Sequence, residues 1–321
     1  SNYPVIGGLL KGWMPMFPVI LAQQKPGVVF SASEPNLLTT LYQGIFAKLF
    51  NKKHAIFTWE NVPYELKFRG LRGAIQKFIV RLNLLLCDGL VCGNMKSQQL
   101  MASLIAKPTA VIPSSGTDTE FFRRDNSKKV FQGKDFTDSL VFSFIGAIDY
   151  RKGVHHIVQA FREIAGTFPE ARLIIAGSGM YEKEIERAIQ ESGFKEKIMR
   201  VPWLDRDGVK ELLNASDIFL YPSIPHGGWE EQFGYSLAEA SLMELPIIST
   251  TSGSIPDVVL NGNTGILTMP NDAEALKEAM TELANNPEKR LAMGKAGRQF
   301  ICDNFSHKVV AEKYYKFFNS I

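Results

Sequence analysis

The chain has 321 residues, enough for two cores of about 150 residues each. With 45% hydrophobic and 21% charged residues it has the composition of an ordinary globular protein, which excludes a disordered or low-complexity chain. The net charge of +3 conceals halves of opposite sign: residues 1–130 hold 16 Lys and Arg against 7 Asp and Glu, the remainder 20 against 26, a pattern of two domains with different partners.

Short β-branched runs alternate with helical periodicity throughout, the mark of parallel α/β units. In the first half, strands are predicted at Gly27–Ser31, His54–Thr58, Gly89–Cys92 and Thr109–Ile112, with helices over Pro35–Phe50, Leu71–Leu86 and Ser97–Ala106. The polar, aperiodic stretch Arg123–Asp138 separates the halves, giving a first domain at 1–125 and a linker at 126–138. A second series follows over 139–305. Its strands are predicted at Ser139–Ile145, Arg172–Ala176, Ile198–Pro202, Ile218–Tyr221, Pro246–Thr250 and Thr264–Thr268, and helices at Val154–Phe168 and Tyr181–Glu191. The closing helix, within 306–321, is amphipathic through Val309, Val310, Tyr314, Phe317 and Phe318 and needs a partner surface.

No apolar run reaches the roughly 18 residues of a membrane span, and no basic-then-apolar leader is visible. The chain opens at Ser1, and Ser1–Lys25 reads as the middle of a domain, so the first domain is expected to be incomplete at its N-terminus. Cys87 and Cys92 lie in the apolar run 84–92 and are expected as buried free thiols, which suits a reducing, cytoplasmic compartment.

The most informative segment is Gly227-Gly228-Trp229-Glu230-Glu231-Gln232-Phe233-Gly234-Tyr235-Ser236-Leu237-Ala238-Glu239-Ala240. A glycine-rich turn opening a helix presents backbone N–H groups and a positive dipole end, which suits a phosphate. Glu231 and Glu239 bracket the turn, and a carboxylate accepts the paired hydrogen bonds of vicinal sugar hydroxyls. The bland alternative is an amphipathic helix with a capping acid.

This segment resembles the E-x7-E signature of the retaining family 4 (group 1) glycosyltransferases. The likeness extends to Leu245-Pro246-Ile247-Ile248, Ser254-Ile255-Pro256-Asp257 and Asn261-Gly262-Asn263-Thr264-Gly265, in the family's order. The resemblance implies the GT-B fold of two Rossmann-like domains, the first here incomplete. It implies a catalytic Glu231 at the donor sugar and Glu239 at the ribose, with Phe233, Gly234, Tyr235 and Ser236 lending amides to the diphosphate. Residues 139–305 then become the nucleotide-sugar domain and 1–125 the acceptor side, to which the helix 306–321 returns.

Phe144-Ile145-Gly146-Ala147-Ile148-Asp149-Tyr150-Arg151-Lys152-Gly153 looks like the family's G-R-L-x-x-x-K-G loop, whose cations neutralise the leaving diphosphate. Lys152 matches the lysine. Ala147 stands where the family has arginine, and Arg151 is the candidate compensating cation, although adjacent side chains point apart. Gly177 and Gly179 in Ala176-Gly177-Ser178-Gly179-Met180 resemble the G-x-G turn lining the nucleotide cleft, and Trp203 falls where members touch the base. Asp205-Arg206-Asp207 imitates a D-x-D metal motif, but it precedes a helical run and reads as an N-cap. The five histidines have no ligand spacing; His226, before the glycines, is a weaker donor candidate.

In the first domain, Val111-Ile112-Pro113-Ser114-Ser115-Gly116-Thr117-Asp118 resembles an interdomain stretch of the family, with Ser115 replacing asparagine. Glu34, Glu60 and Asn61 follow predicted strands and are candidate acceptor-side groups. Residues 66–81 hold five basic residues, no acid and helically spaced apolar residues. This suits an anionic membrane or a lipid-linked acceptor, and equally an ordinary surface helix, the reading placed first. Nucleic acid is not expected, since no binding motif accompanies the charge.

These readings converge on metal-independent, retaining transfer of a sugar from an NDP-sugar to an acceptor hydroxyl, in polysaccharide or glycolipid synthesis. No cofactor is expected. The acceptor is a sugar or a lipid-linked group, and the enzyme is expected in the cytoplasm, with peripheral contact at the inner membrane face through 66–81 as the alternative to an ordinary surface helix. No protein nucleophile is implied: in the family the acceptor hydroxyl attacks on the leaving-group face, with the donor phosphate helping to remove its proton. Two alternatives stand beside this. An NDP-sugar 2-epimerase shares the fold but would need acid and base groups in the cleft, and an inactive nucleotide-sugar binder would need none.

Overall fold

The computed structural model describes residues 12, 14–67, 70–125 and 129–321. The chain divides into two compact units, one holding residues up to Gly116 together with Lys308–Ile321, the other Thr117–His307.

The first unit is a four-stranded parallel sheet in the order β1 (Val28–Ser31), β2 (Lys53–Thr58), β3 (Gly89–Cys92), β4 (Thr109–Val111). Its helices are α1 (Phe17–Gln24), α2 (Leu38–Leu49), α3 (Tyr64–Lys67), α4 (Gly70–Leu86) and α5 (Met95–Leu104). One core joins Ile56, Leu90 and Cys92 of the sheet to Val80 and Leu84 of α4 and Met101 of α5. Cys87 and Cys92 are buried and free, and burial pushes their thiols up to about 11 and about 12, so they are inert.

The second unit opens with a hairpin, β5 (Val130–Phe131) and β6 (Lys134–Asp135), around Gln132 and Gly133, both at positive φ. The stretch 126–138, read from sequence as a linker, is therefore partly ordered. Phe131 and Phe136 are buried and fix it to the unit, and Asn126, Ser127 and Lys128 lie outside the described residues. A six-stranded parallel sheet follows, ordered β12-β11-β10-β7-β8-β9. The strands are β7 (Leu140–Ile145), β8 (Ala171–Ala176), β9 (Ile198–Val201), β10 (Ile218–Tyr221), β11 (Ile247–Thr250) and β12 (Gly265–Thr268). All six residues of β7 are buried, as expected of a parallel strand covered on both faces.

Helices α6 (Val154–Ile164), α7 (Glu182–Glu191), α8 (Arg206–Ala215), α9 (Tyr235–Leu242), α10 (Ile255–Val258), α11 (Ala273–Asn285) and α12 (Pro287–Phe305) complete the second unit. Helix α6 buries Val154, Ile157, Val158, Phe161 and Ile164, the i, i+3, i+4 stripe that makes it a covering helix. The last helix, α13 (His307–Ser320), belongs to the first unit through Lys308–Ile321. It buries Val310 and Phe317 against Ala55, Phe57, Val91 and Ile112, and its Tyr314 hydroxyl donates to the Pro113 carbonyl.

Among the described residues, no helix is long and apolar enough to cross a membrane.

Candidate active site

The strand order of the second unit reverses beside β7: the chain runs outward through β8 and β9, then returns to β10 on the other side. Loops leaving β7 and β10 diverge there and open a crevice at the strands' carboxyl ends, the general ligand position of such sheets. Gly146 and Ala147 leave β7, Gly177 leaves β8, and Tyr221 ends β10.

The loops approach so closely that their glycines are obligatory. Gly177 has φ +134°, and a Cβ built there would lie 1.8 Å from the Gly146 carbonyl oxygen. At Gly179 it would lie 2.3 Å from the Ile148 carbonyl oxygen. Gly153, at φ +68°, ends a 3₁₀ turn over Tyr150–Lys152, and its Cβ would meet the Pro222 carbonyl oxygen at 2.0 Å.

That turn carries Lys152 inward, where it is buried. Its Nζ donates to Glu231 Oε2 at 2.6 Å and to the Tyr221 hydroxyl at 2.5 Å. Burial and the Glu231 carboxylate push the Tyr221 phenol well above its ordinary value, so it stays protonated. Lys152 also lies 4.9 Å from the Trp229 ring centroid. Trp229 is presented by a two-residue turn, Gly227-Gly228, in which both glycines have positive φ and His226 and Trp229 exchange backbone hydrogen bonds of 3.0 Å.

Gly234 has the separate task of opening α9: it sits at φ +75°, and no side chain caps the helix. The first turn of a helix leaves amide groups without intrahelical acceptors, and here it starts at Tyr235 beside the crevice.

A cavity of about 480 Å³ occupies the crevice. Of the residues singled out in the sequence, it is lined by Gly146, Lys152, Gly177, Trp203, Tyr235, Ser236 and Glu239. Trp203 is 64% exposed, so its ring stands on the cavity wall and not in the core. Glu231 lies behind Lys152 rather than on the wall, and Phe233 is buried against Tyr235 and Phe305. Gly179 and Gly234 shape the walls from outside. The Arg151 guanidinium pairs with Asp149 at 3.0 Å and stacks 4.1 Å from the Trp229 centroid, and it is not among the lining residues. Successive residues of the 3₁₀ turn diverge, so Lys152 alone reaches the cavity.

Asp205 N-caps α8 by accepting from the Gly208 amide at 2.8 Å, as the capping reading expects. Among the described residues no three His, Cys, Asp or Glu side chains are grouped to hold a metal. His226 packs on Tyr150 outside the cavity lining. Three residues escaped the sequence reading. Arg206 lines the cavity and opposes Glu239. Tyr221 bonds Lys152. A Cβ at Gly253, φ +58°, would lie 2.1 Å from the Glu231 carbonyl oxygen, so this glycine seats Glu231. Gly253 lies in the loop after β11, where Gly146 and Gly177 had already marked strand ends as the place to look.

Burial raises the Glu239 carboxyl to about 7, with Arg206 partly opposing the shift. Because the folded value exceeds the ordinary 4.5, the native state binds this proton more tightly, and stability contributed by Glu239 falls as pH rises from about 4.5 to about 7. Any ligand whose hydroxyls donate to the ionised carboxylate would reverse that preference, so its affinity is expected to be flat above about pH 7 and to fall about tenfold per unit well below it. Calorimetric titration from pH 5 to 8 checks this. An unchanged profile in Glu239→Gln would show that another group titrates.

In the first unit, Glu34 accepts from Thr58 Oγ1 at 2.5 Å and from the Trp59 amide at 2.8 Å, and burial raises its carboxyl. It lines a cavity of about 400 Å³ with the aromatic side chains Phe30, Phe57, Trp59 and Tyr314. Glu60 and Asn61, the other acceptor-side candidates, are buried outside that cavity's lining, and Glu60 pairs with Lys67 at 2.6 Å while accepting from the Val62 amide.

The model of the family described as Glycosyl transferases group 1 matches residues 125–300. A GDP-mannose-dependent monoacylated alpha-(1-6)-phosphatidylinositol monomannoside mannosyltransferase of Corynebacterium glutamicum is 32% identical over 168 residues, 51% of this chain and 42% of that relative. The capsular polysaccharide biosynthesis glycosyltransferase CapM of Staphylococcus aureus is 27% identical over 213 residues, 64% of this chain and 53% of the relative. The chain thus spans about half the length of the curated relatives it matches. Among solved structures, Anabaena HepE in complex with UDP superposes with a TM-score of 0.80 over 97% of this chain and 84% of that one. A glycosyltransferase from Rickettsia africae gives 0.74 over 100% and 82%. Each is 16% identical, so this likeness shows the fold alone.

Proposed function

This chain belongs to the group 1 glycosyl transferases, and on that premise we propose that its second unit binds an NDP-sugar and transfers the sugar to an acceptor hydroxyl with retention. The observation that carries the proposal is the arrangement around one cavity: the buried cation Lys152, the opening turn of α9, and Glu239 one turn further along that helix. Glu239 accepts the ribose hydroxyls. The diphosphate lies between Lys152 and the amides at Tyr235 and Ser236. Cleavage of the sugar–phosphate bond leaves the electron pair, and hence a growing negative charge, on that diphosphate.

Fixed groups that need no reorganisation stabilise this charge most effectively. Lys152 is such a group, held in place by Glu231 and Tyr221, and on this reading transfer needs no divalent metal. Glu231, behind Lys152, orients that cation toward the charge that develops. The acceptor, a sugar or a lipid-linked group, attacks on the leaving-group face, and Glu34 with its aromatic neighbours is the candidate acceptor wall in the first unit.

Product analysis tests the reading. With a nucleotide sugar and an acceptor, an α-configured donor should give an α-linked product and free NDP, at a rate that EDTA leaves unchanged. An epimerised nucleotide sugar formed without acceptor would overturn it in favour of a 2-epimerase. Binding without any turnover would make the chain a binder.

A further inference from the structure

The outer face of α4 is more apolar than the fold requires. Leu71 is 81% exposed, Ile75 49%, Phe78 61% and Leu85 59%, with Leu82 partly exposed between them. At about 100° per residue these five positions fall within an arc of roughly 80°, one continuous stripe along a helix about 25 Å long. The opposite face, through Gly73, Ile79, Val80, Asn83 and Leu84, already meets the core. The stripe therefore does nothing for the stability of this unit, and exposed side chains of this size in one patch mark an interaction surface.

The charges beside the stripe identify what meets it. Arg72 stands on one flank and Lys77 and Arg81 on the other, all exposed, and residues 70–86 contain no acid. A groove of about 360 Å³ runs alongside, lined by Val80, Leu84 and Leu104 together with Lys77 and Arg81; Glu65 is its one acid. A second copy of this chain laid stripe to stripe would set these cations against themselves with no acid on α4 to answer them. A bilayer bearing anionic phospholipids offers hydrocarbon to the stripe and phosphates to both flanks at once.

We propose that α4 is a docking surface for an anionic phospholipid membrane, its apolar stripe lying in the interface plane and Arg72, Lys77 and Arg81 meeting the headgroup phosphates. The site is separate from the cavity of the second unit and needs neither donor nor turnover, so its failure leaves the transferase reading untouched. Phe68 and Arg69, just before α4, lie outside the described residues and carry no part of this.

The test is co-sedimentation of the full chain with vesicles of phosphatidylcholine alone and of an equimolar mixture with phosphatidylglycerol. Binding is expected to the mixed vesicles only, and to weaken as salt rises. Lys77→Glu/Arg81→Glu and, separately, Leu71→Ser/Phe78→Ser should each reduce it at least about tenfold while leaving the melting temperature nearly unchanged, since all four side chains are exposed. Equal sedimentation with both vesicle types, no sedimentation, or undiminished binding by the variants would overturn the proposal. So would a dimer in vesicle-free solution that Leu71→Ser/Phe78→Ser dissociates, because a second copy would then cover the stripe.

Discussion

Lys152→Ala is expected to slow transfer by at least about 10²–10³, the usual consequence of removing one preorganised group from a developing anion. The same change leaves the Glu231 carboxylate, now buried beside it at 2.6 Å, without its cation. Breaking a buried pair from one side costs about 3–5 kcal/mol, which for a unit of this size lowers the melting temperature by roughly 10 °C. Activity and stability therefore fall together, and a single variant cannot separate them. The double variant Lys152→Met/Glu231→Gln can, because it removes both charges and leaves neither unpaired. It should regain most of the lost stability and none of the activity. If it regains neither, the pair is not the unit described here. If Lys152→Ala retains wild-type turnover, the diphosphate is neutralised elsewhere.

Gly177→Ala is the second large effect. Its φ of +134° lies where only glycine is at ease, and the added methyl would stand 1.8 Å from the Gly146 carbonyl oxygen. Backbone strain of about 1–3 kcal/mol adds to an overpacking cost of about 1–3 kcal/mol. The relaxation must move Gly146 or Gly177, and both line the cavity. We expect a loss of several kcal/mol in denaturant unfolding, with nucleotide affinity falling in the protein that remains folded. Gly193→Ala is the control: φ is +77°, nothing lies within 4 Å of its Cβ, and only the modest αL penalty of about 1–2 kcal/mol applies, with binding unchanged. Equal effects of the two substitutions would show that the close approach of the loops does not matter.

The contrast between these positions shows what a sequence exposes and what it withholds. Parallel strands such as Leu140–Ile145 and Ile218–Tyr221 are buried throughout and stand out as almost unbroken apolar runs, which made them legible. The hairpin Val130–Asp135 was not, because Lys134 and Asp135 are exposed and only Phe131 and Phe136 face inward. Helices α11 and α12 went unassigned, although α11 buries Leu276, Met280 and Leu283 at regular spacing. In the site, glycines and acids at fixed intervals could be read locally. The partners that make them a site could not. Tyr221 lies 69 residues beyond Lys152, and Gly253 reaches Glu231 only through the packing of two loops. Nor could residue type show that Arg151 pairs with Asp149 and stacks on Trp229, or that Glu60 pairs with Lys67.

The most direct measurement is a thermal-shift titration of the full chain with UDP, GDP and ADP, alongside Lys152→Ala and Glu239→Ala. The donor-site account predicts stabilisation by one nucleoside diphosphate that grows with the logarithm of its concentration, about 2.7 kcal/mol at a hundredfold excess over Kd, and weakened in both variants. No shift with any nucleotide, or a shift that both variants retain in full, would contradict it.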